Sequence, residues 1–573
     1  MRRRRVWLAA ALLGLVWLAV AAVLLLKVRS DASAGRDAAD KARTESSPED
    51  LVAARPLGDL RRAQARMRSA HRALRSPIVA PLRVLPVVGR QIRSADALTG
   101  TAGRVAGVGA AGVVEAQDVL RLPHATGPQR VVILRKLADV ADRAGQQLTS
   151  ARYGPSAGLV GPLGSARDKL VDQVTKVRDG LRRGTAGSRA AADLLAGPRH
   201  YLVLAANNAE MRSGSGMFLS VGVLVTDAGK LHLEDFHPAA DEDLGPETRP
   251  PAADPDLLAR WGWLHIDRNW RNLALSPRFD AVAPLAAGMW VAKGHPAVDG
   301  VIALDPVALR AVLVATGGID AGGQKIGPND VIEYLLHRQY VDHAKDSGAQ
   351  ARYEQLGKVA QAALQALQDR EWSVTTLAKE IATAARGRHV LAWSKLPAEN
   401  EAWQSADVDG AMRAESLLVG IDSRGANKLD HFLDVSVDVD VKRSGSRREL
   451  TMTVHLHNRT PATGEPRYVV GPDPEGGAPE GVYRGIVSVT LPTSARGGRF
   501  DGVSSLVAFG PDGPSNVVAM AFDLPRGAER DVVLRFSLPE GAVRIEPSAR
   551  VPAVRWRFGP RRFDDATART LSP

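Results

Sequence analysis

The chain has 573 residues, 75 Lys and Arg against 63 Asp and Glu, a formal charge of +12, and no cysteine. That length exceeds what one hydrophobic core supports and calls for several modules, and the lack of cysteine excludes disulfides, thiol nucleophiles and cysteine zinc sites. Arg2–Arg5, Lys27 and Arg29 supply six of the positive charges, so the remainder carries +6, and no dense basic stripe with interleaved aromatics marks a nucleic-acid surface.

Val6–Leu26 are 21 residues without a polar interruption, preceded by Arg2–Arg5. Such a run crosses the hydrocarbon core as one helix, and the arginines hold the N-terminus in the cytoplasm. Ala32-Ser33-Ala34 offers a signal cleavage site, but the apolar run is longer than a signal peptide's core. The expectation is therefore a retained, single-pass signal anchor in the cell membrane, with the bulk of the chain extracytoplasmic. There it is away from nucleic acid and nucleotide cofactors.

Residues 31–55 read as a polar linker. Helical spacing follows: Leu137, Ala141, Ala144 and Leu148 form one stripe, and Leu163, Ala166, Leu170, Val174, Val177 and Leu181 another. Ser165 with Asp168 predicts an N-cap. Gly197-Pro198 breaks the pattern. Strands are predicted at 201–205, 218–226 and 230–236, the last two joined as a hairpin through Asp227-Ala228-Gly229. An acidic, proline-rich loop follows over 241–256. A strand at 298–304 leads to a helix at 306–316 stopped by Gly317-Gly318, and further helices are predicted at 329–340, 353–367 and 374–385. Strict alternation at Val435, Val437, Val439 and Val441, and at Leu450, Met452, Val454 and Leu456, announces a half-buried antiparallel sheet. The fold class expected is multidomain α+β. It comprises a cytoplasmic tip and transmembrane helix (1–30), a linker and helical stalk (31–196), a central α/β domain (197–425) and a C-terminal β-sandwich (426–573).

Two motifs read as structure rather than chemistry. Gly107–Gly112 fits G-x-G-x-x-G but lacks a preceding strand. Gly154–Gly158 fits G-x-S-x-G but lacks its strand-turn-helix setting. His455 and His457 share an exposed strand face without a third ligand, and no metal is expected. One segment concentrates chemistry: Asn207–Phe218 places Asn208, Glu210 and Arg212 with glycines in one predicted bend. Glycine lets backbone approach a ligand, and an arginine fork grips an oxyanion. Asp267–Asn272 is a second polar cluster, with Asp267 and Asn269 as candidates. Arg338 and Arg352 lie on or near helices. Convergent arginines suit a pyrophosphate-bearing ligand.

Tyr201–Phe218, Val298–Pro306, Thr316-Gly317-Gly318 and Asn427-Lys428 resemble the bacterial domain-of-unknown-function family numbered 4012, which supplies no established activity. More distantly, the order of elements through Arg338, Asp342, Asp346 and Arg352 resembles the LytR–CpsA–Psr family. Those are membrane-anchored phosphotransferases that move glycopolymers from a polyprenyl-pyrophosphate carrier to peptidoglycan. That resemblance implies arginines on the pyrophosphate and a carboxylate-held metal. The metal-binding Asp it requires is replaced by Gly216-Met217, and its Pro-Arg-Asp motif by His237-Pro238. The function expected is binding of a polyprenyl-linked or cell-wall glycan in envelope polysaccharide assembly or export, without a cofactor. The alternatives are an active phosphotransferase, the one case in which a divalent cation enters, and a structural or protein-binding ectodomain.

Overall fold

The computed structural model describes residues 2–44, 54–122, 126–342, 344, 348–472 and 477–572. The chain is mixed α and β, as expected, and divides into two compact units: Met1–His124 with Gln129–Ala192, and Asp193–Pro573 with Ala125–Pro128.

The first unit is helical. Helix Arg2–Thr44 runs through the apolar N-terminal segment and continues past it, so the linker expected from residue 31 is helical as far as Thr44. Asp31 holds Arg66 at 3.0 Å and Lys41 reaches Asp59 at 3.6 Å, which fastens the polar part of this helix to helix Arg55–Leu74. Side chains of the first 15 residues, most of the arginine and apolar run among them, lie outside the described set. Among the described residues, helix Pro86–Leu120 is long and apolar enough to cross a membrane by length and composition, with 44% of its apolar window buried. Its Gly103 and Gly107 face Met67, Arg68 and Gln64 of the arginine-rich helix Arg55–Leu74, a neighbour that suits a bundle helix better than one in lipid. The G-x-G-x-x-G run thus sits mid-helix, and Gly154–Gly158 is a loop. Helix Gly161–Ala196 begins four residues before Ser165, so that serine does not cap it.

In the second unit a five-stranded sheet has the order 230–238, 215–227, 199–212, 300–304, 390–394. Only 199–212 and 300–304 pair in parallel. Trp261, Trp270, Leu273 and helix Phe279–Ala292 bury one face. Two six-stranded sheets follow. One orders 496–500, 529–539, 447–458, 433–444, 555–558, 561–564, and the other 508–512, 515–524, 483–492, 416–423, 543–545, 569–571. Both line one core, with Val437, Met452 and Leu534 from the first and Leu417, Val487 and Met520 from the second. The alternation is the cause: Val437 and Val439 point inward while Asp438 and Asp440 face out to Arg557 at 3.0 and 2.8 Å. Strand Ser416–Ser423, before residue 425, is hydrogen-bonded into the second of these sheets.

The segment 207–218, predicted as one bend, turns only at its middle. Strands Arg199–Arg212 and Ser215–Asp227 run on through it, and the chain reverses only at Ser213-Gly214. Polar content suggested a loop because strands are rarely so polar on both faces. Here burial among other polar groups supplies the missing partners.

Candidate functional site

The distal half of this long hairpin is bulged. Asn207 pairs with Met217 and Met211 with Gly216, so residues 208–210 have no counterpart on the other strand. A bulge re-aims side chains, and Gly216 permits this one: a Cβ there would lie 2.2 Å from the Asn207 carbonyl carbon.

Glu210, buried, forms an ion pair with the buried Lys428. Burial alone disfavours the ammonium, but the Glu210 carboxylate, with Tyr468 and Tyr340, outweighs it and holds the Lys428 pKa above its ordinary value. The Lys428 Nζ lies 5.3 Å from the Tyr340 ring centre and 5.0 Å from that of Tyr468. Arg352 stacks on Tyr468 at 3.8 Å, a separation at which a cation and a ring attract. Tyr468 remains 41% exposed. It sits on the short helix Arg467–Val470. Glu465, Arg467, Val470, Gly471, Pro472 and Glu480 line a cleft of about 410 Å³ there.

Arg212 is turned inward. It donates to the Met211 carbonyl at 3.1 Å and to the Ser423 carbonyl, and reaches Asn272 Oδ1 at 3.5 Å. Beside it, Ser213 donates its N–H to Asp422 at 2.7 Å. Burial pushes the Asp422 carboxyl up to about 7, against the pull of Arg212 and of the Ser213 hydrogen bonds. The Met211 N–H, Tyr483 hydroxyl and Arg550 guanidinium all donate to Asp430, at 2.8, 2.9 and 2.7 Å. The hairpin tip is therefore clasped by Asp422 and Asp430.

Of the residues predicted from sequence, the structure brings Glu210 and Arg352 to one cluster around Lys428 and Tyr468. Asn208 lies on the same bulge but faces elsewhere, donating to Asp305 at 3.0 Å and to the Ala549 carbonyl at 2.9 Å. Asn269 caps a short 3₁₀ turn by accepting from the Arg271 N–H. Asp267 is half-buried on the preceding turn. Arg338 is exposed, 5.8 Å from the Tyr334 ring. Asp342 is exposed at the end of helix Gln339–Asp342, and Asp346 lies outside the described residues. His455 and His457 make cross-strand contacts to Asp531 at 2.7 Å and Glu529 at 3.6 Å.

Two groups escaped the sequence reading. Asp305 caps helix Pro306–Thr316 through one oxygen and holds His389 Nδ1 at 2.6 Å with the other. That fixes the ring and turns Nε2 away, and His389 borders a cavity of about 170 Å³ with Arg550 and Asp565. Asp-Pro before a helix signals the cap; nothing in the sequence signals His389, 84 residues on. The second group is Glu333, His337 and His431, whose ligand atoms lie within 4.8 Å of one another. However, the two imidazoles stack 4.4 Å apart and 8° from parallel. A metal binds in the plane of each imidazole it ligates, and one ion cannot lie in two separate parallel planes. This arrangement is a histidine stack, with His337 held between Glu333 at 3.1 Å and Glu465 at 3.0 Å.

No curated protein and no solved structure matches the chain, and the comparisons carry no likeness to the LytR–CpsA–Psr family. Residues 196–340, which hold the long hairpin, the bulge with Asn208 and Glu210, and Asp305, match the family model described as a protein of unknown function, DUF4012.

Proposed function

We propose that this is a single-pass envelope protein, cytoplasmic at its N-terminus, that binds a polyprenyl-linked or cell-wall glycan and assists envelope polysaccharide assembly or export. The observation that carries the reading is Tyr468, an exposed ring flanked by Arg352 and Lys428 on a short helix whose Arg467 and Val470 line a 410 Å³ cleft. An aromatic face suits a sugar ring, and a guanidinium stacked beside it suits a phosphate of a lipid carrier. The cleft falls in the size range of small-ligand sites. Binding is favoured over transfer because the carboxylate in this cluster, Glu210, is already neutralised by Lys428 and is a poor metal ligand. In this reading the two six-stranded sheets act as a β-sandwich bracing the mixed sheet through Asp422 and Asp430.

The test is native mass spectrometry of the full-length chain, purified from its host in detergent. A co-purifying polyprenyl phosphate or pyrophosphate is expected, lost in Arg352→Ala/Tyr468→Ala and retained in Arg338→Ala. A bare protein mass that does not shift on adding polyprenyl pyrophosphate rejects the reading in favour of a structural or protein-binding role.

A further inference from the structure

Within the helical unit, helices Arg55–Leu74 and Pro86–Leu120 are joined by an apolar turn that contains the 3₁₀ segment Ala80–Val84. Val84, Leu85, Val87 and Val88 are exposed by 84, 48, 71 and 41%. Soluble surfaces seldom show four large apolar side chains within five residues. The position of the turn accounts for them. Trp17 donates its indole N–H to the Ile78 carbonyl at 3.1 Å, and Leu24, Leu25 and Val28 pack with Leu74, Val79, Leu82 and Ile92. Trp17 lies inside the apolar N-terminal run, nine residues before Leu26. At 1.5 Å per residue it is about 14 Å below the outer end of a spanning helix.

We infer that the turn Ile78–Val88 inserts into the outer leaflet of the lipid bilayer, as a second membrane element that does not span. This rests on the reading of Val6–Leu26 as a transmembrane helix. Part of the turn's backbone is satisfied internally, as lipid requires, while the first turn of helix Pro86–Leu120 has no side-chain cap. Pro81 and Pro86 have no N–H, and Val79, Leu82 and Gly89 donate to Ser76, Val79 and Leu85 at 3.1, 3.0 and 2.8 Å. Gly89 is required by the fold of the turn, since a Cβ there would lie 2.1 Å from the Arg83 carbonyl oxygen. The guanidinium of Arg83 is tied down by the Leu74 carbonyl at 3.0 Å and Asp96 at 3.1 Å. Arg90 and Arg93, exposed one turn further on, stand where anionic headgroups would meet them. Gln91 holds the loop at 158–160 to the same end, accepting from Val160 at 3.1 Å and donating to Gly158 at 2.8 Å, and Val160 is also exposed.

The absence of native cysteine makes the test direct. Val87→Cys, Val20→Cys and Val177→Cys, each labelled with an NBD fluorophore in the full-length chain, are reconstituted in phosphatidylethanolamine–phosphatidylglycerol vesicles. Position 177, on the polar helix Gly161–Ala196, serves as the aqueous reference. The expected result is loss of most emission at positions 87 and 20 on adding doxyl-labelled lipid, with no quenching by iodide, and the reverse at 177. Iodide quenching at 87 with lipid quenching at 20 overturns the inference and leaves the span intact. Shielding of 87 from both quenchers also overturns it, because protein then covers the turn. Iodide quenching at 20 overturns the span, and the inference with it.

Discussion

Lys428→Met isolates the question of whether the polar bulge is a brace or an open binding site. The substitution removes the ammonium and leaves the Glu210 carboxylate, 5% exposed, without its partner. Breaking a buried ion pair from one side costs about 3–5 kcal/mol. Glu210→Gln is expected to cost less, because Lys428 keeps the faces of Tyr340 and Tyr468 at 5.3 and 5.0 Å, worth about 1–2 kcal/mol when desolvated. The double variant has neither charge to strand, so its loss should fall below the sum of the two by about 2 kcal/mol or more, within the range for contacting residues. The assay is urea unfolding of all four proteins followed by tryptophan fluorescence. Eight of the ten tryptophans, from Trp261 to Trp556, lie in the second unit and report on it. Additive losses, with coupling below about 0.5 kcal/mol, would refute the pairing and make Glu210 available to a ligand.

Two further outcomes follow from the same hairpin. Asp422, raised to about 7 by burial, binds its proton more tightly folded than unfolded. It therefore favours the folded state below pH 4, and that contribution is lost as pH rises from 4 to 7. Asp422→Asn should flatten this part of the stability–pH profile, and an unchanged slope would show that Asp422 does not titrate there. Gly216→Ala forces a methyl to 2.2 Å from the Asn207 backbone. It should cost several kcal/mol, of order 3 or more for an incompatible backbone site, and limited proteolysis should cut the hairpin; a resistant variant would mean that the bulge is not formed as described.

Local elements are legible in the chain. Helix Pro306–Thr316 falls on its predicted residues because Asp305 caps it, Pro306 starts it and Gly317 stops it, all within one short segment. The valine alternation fixed the inner face of 433–444 because side chains reverse at every residue of a strand. The apolar N-terminal run gave a helix, and salt links to residues 18 and 35 positions away fasten its continuation to Thr44. What the 207–218 segment becomes rests on tertiary contacts. Its amides, carboxylate and guanidinium read as a loop until Lys428, Asp422 and Asp430, more than 200 residues distant, supply partners for a buried strand. The same holds for the candidate site: Arg352 and Glu210 meet through Tyr468 and Lys428, whereas Arg338, chosen on the same grounds, points to solvent. Charge and residue type are written in the sequence. Which charges share a buried space depends on long-range packing, because local periodicity fixes which face a side chain takes and not what the rest of the chain places opposite it.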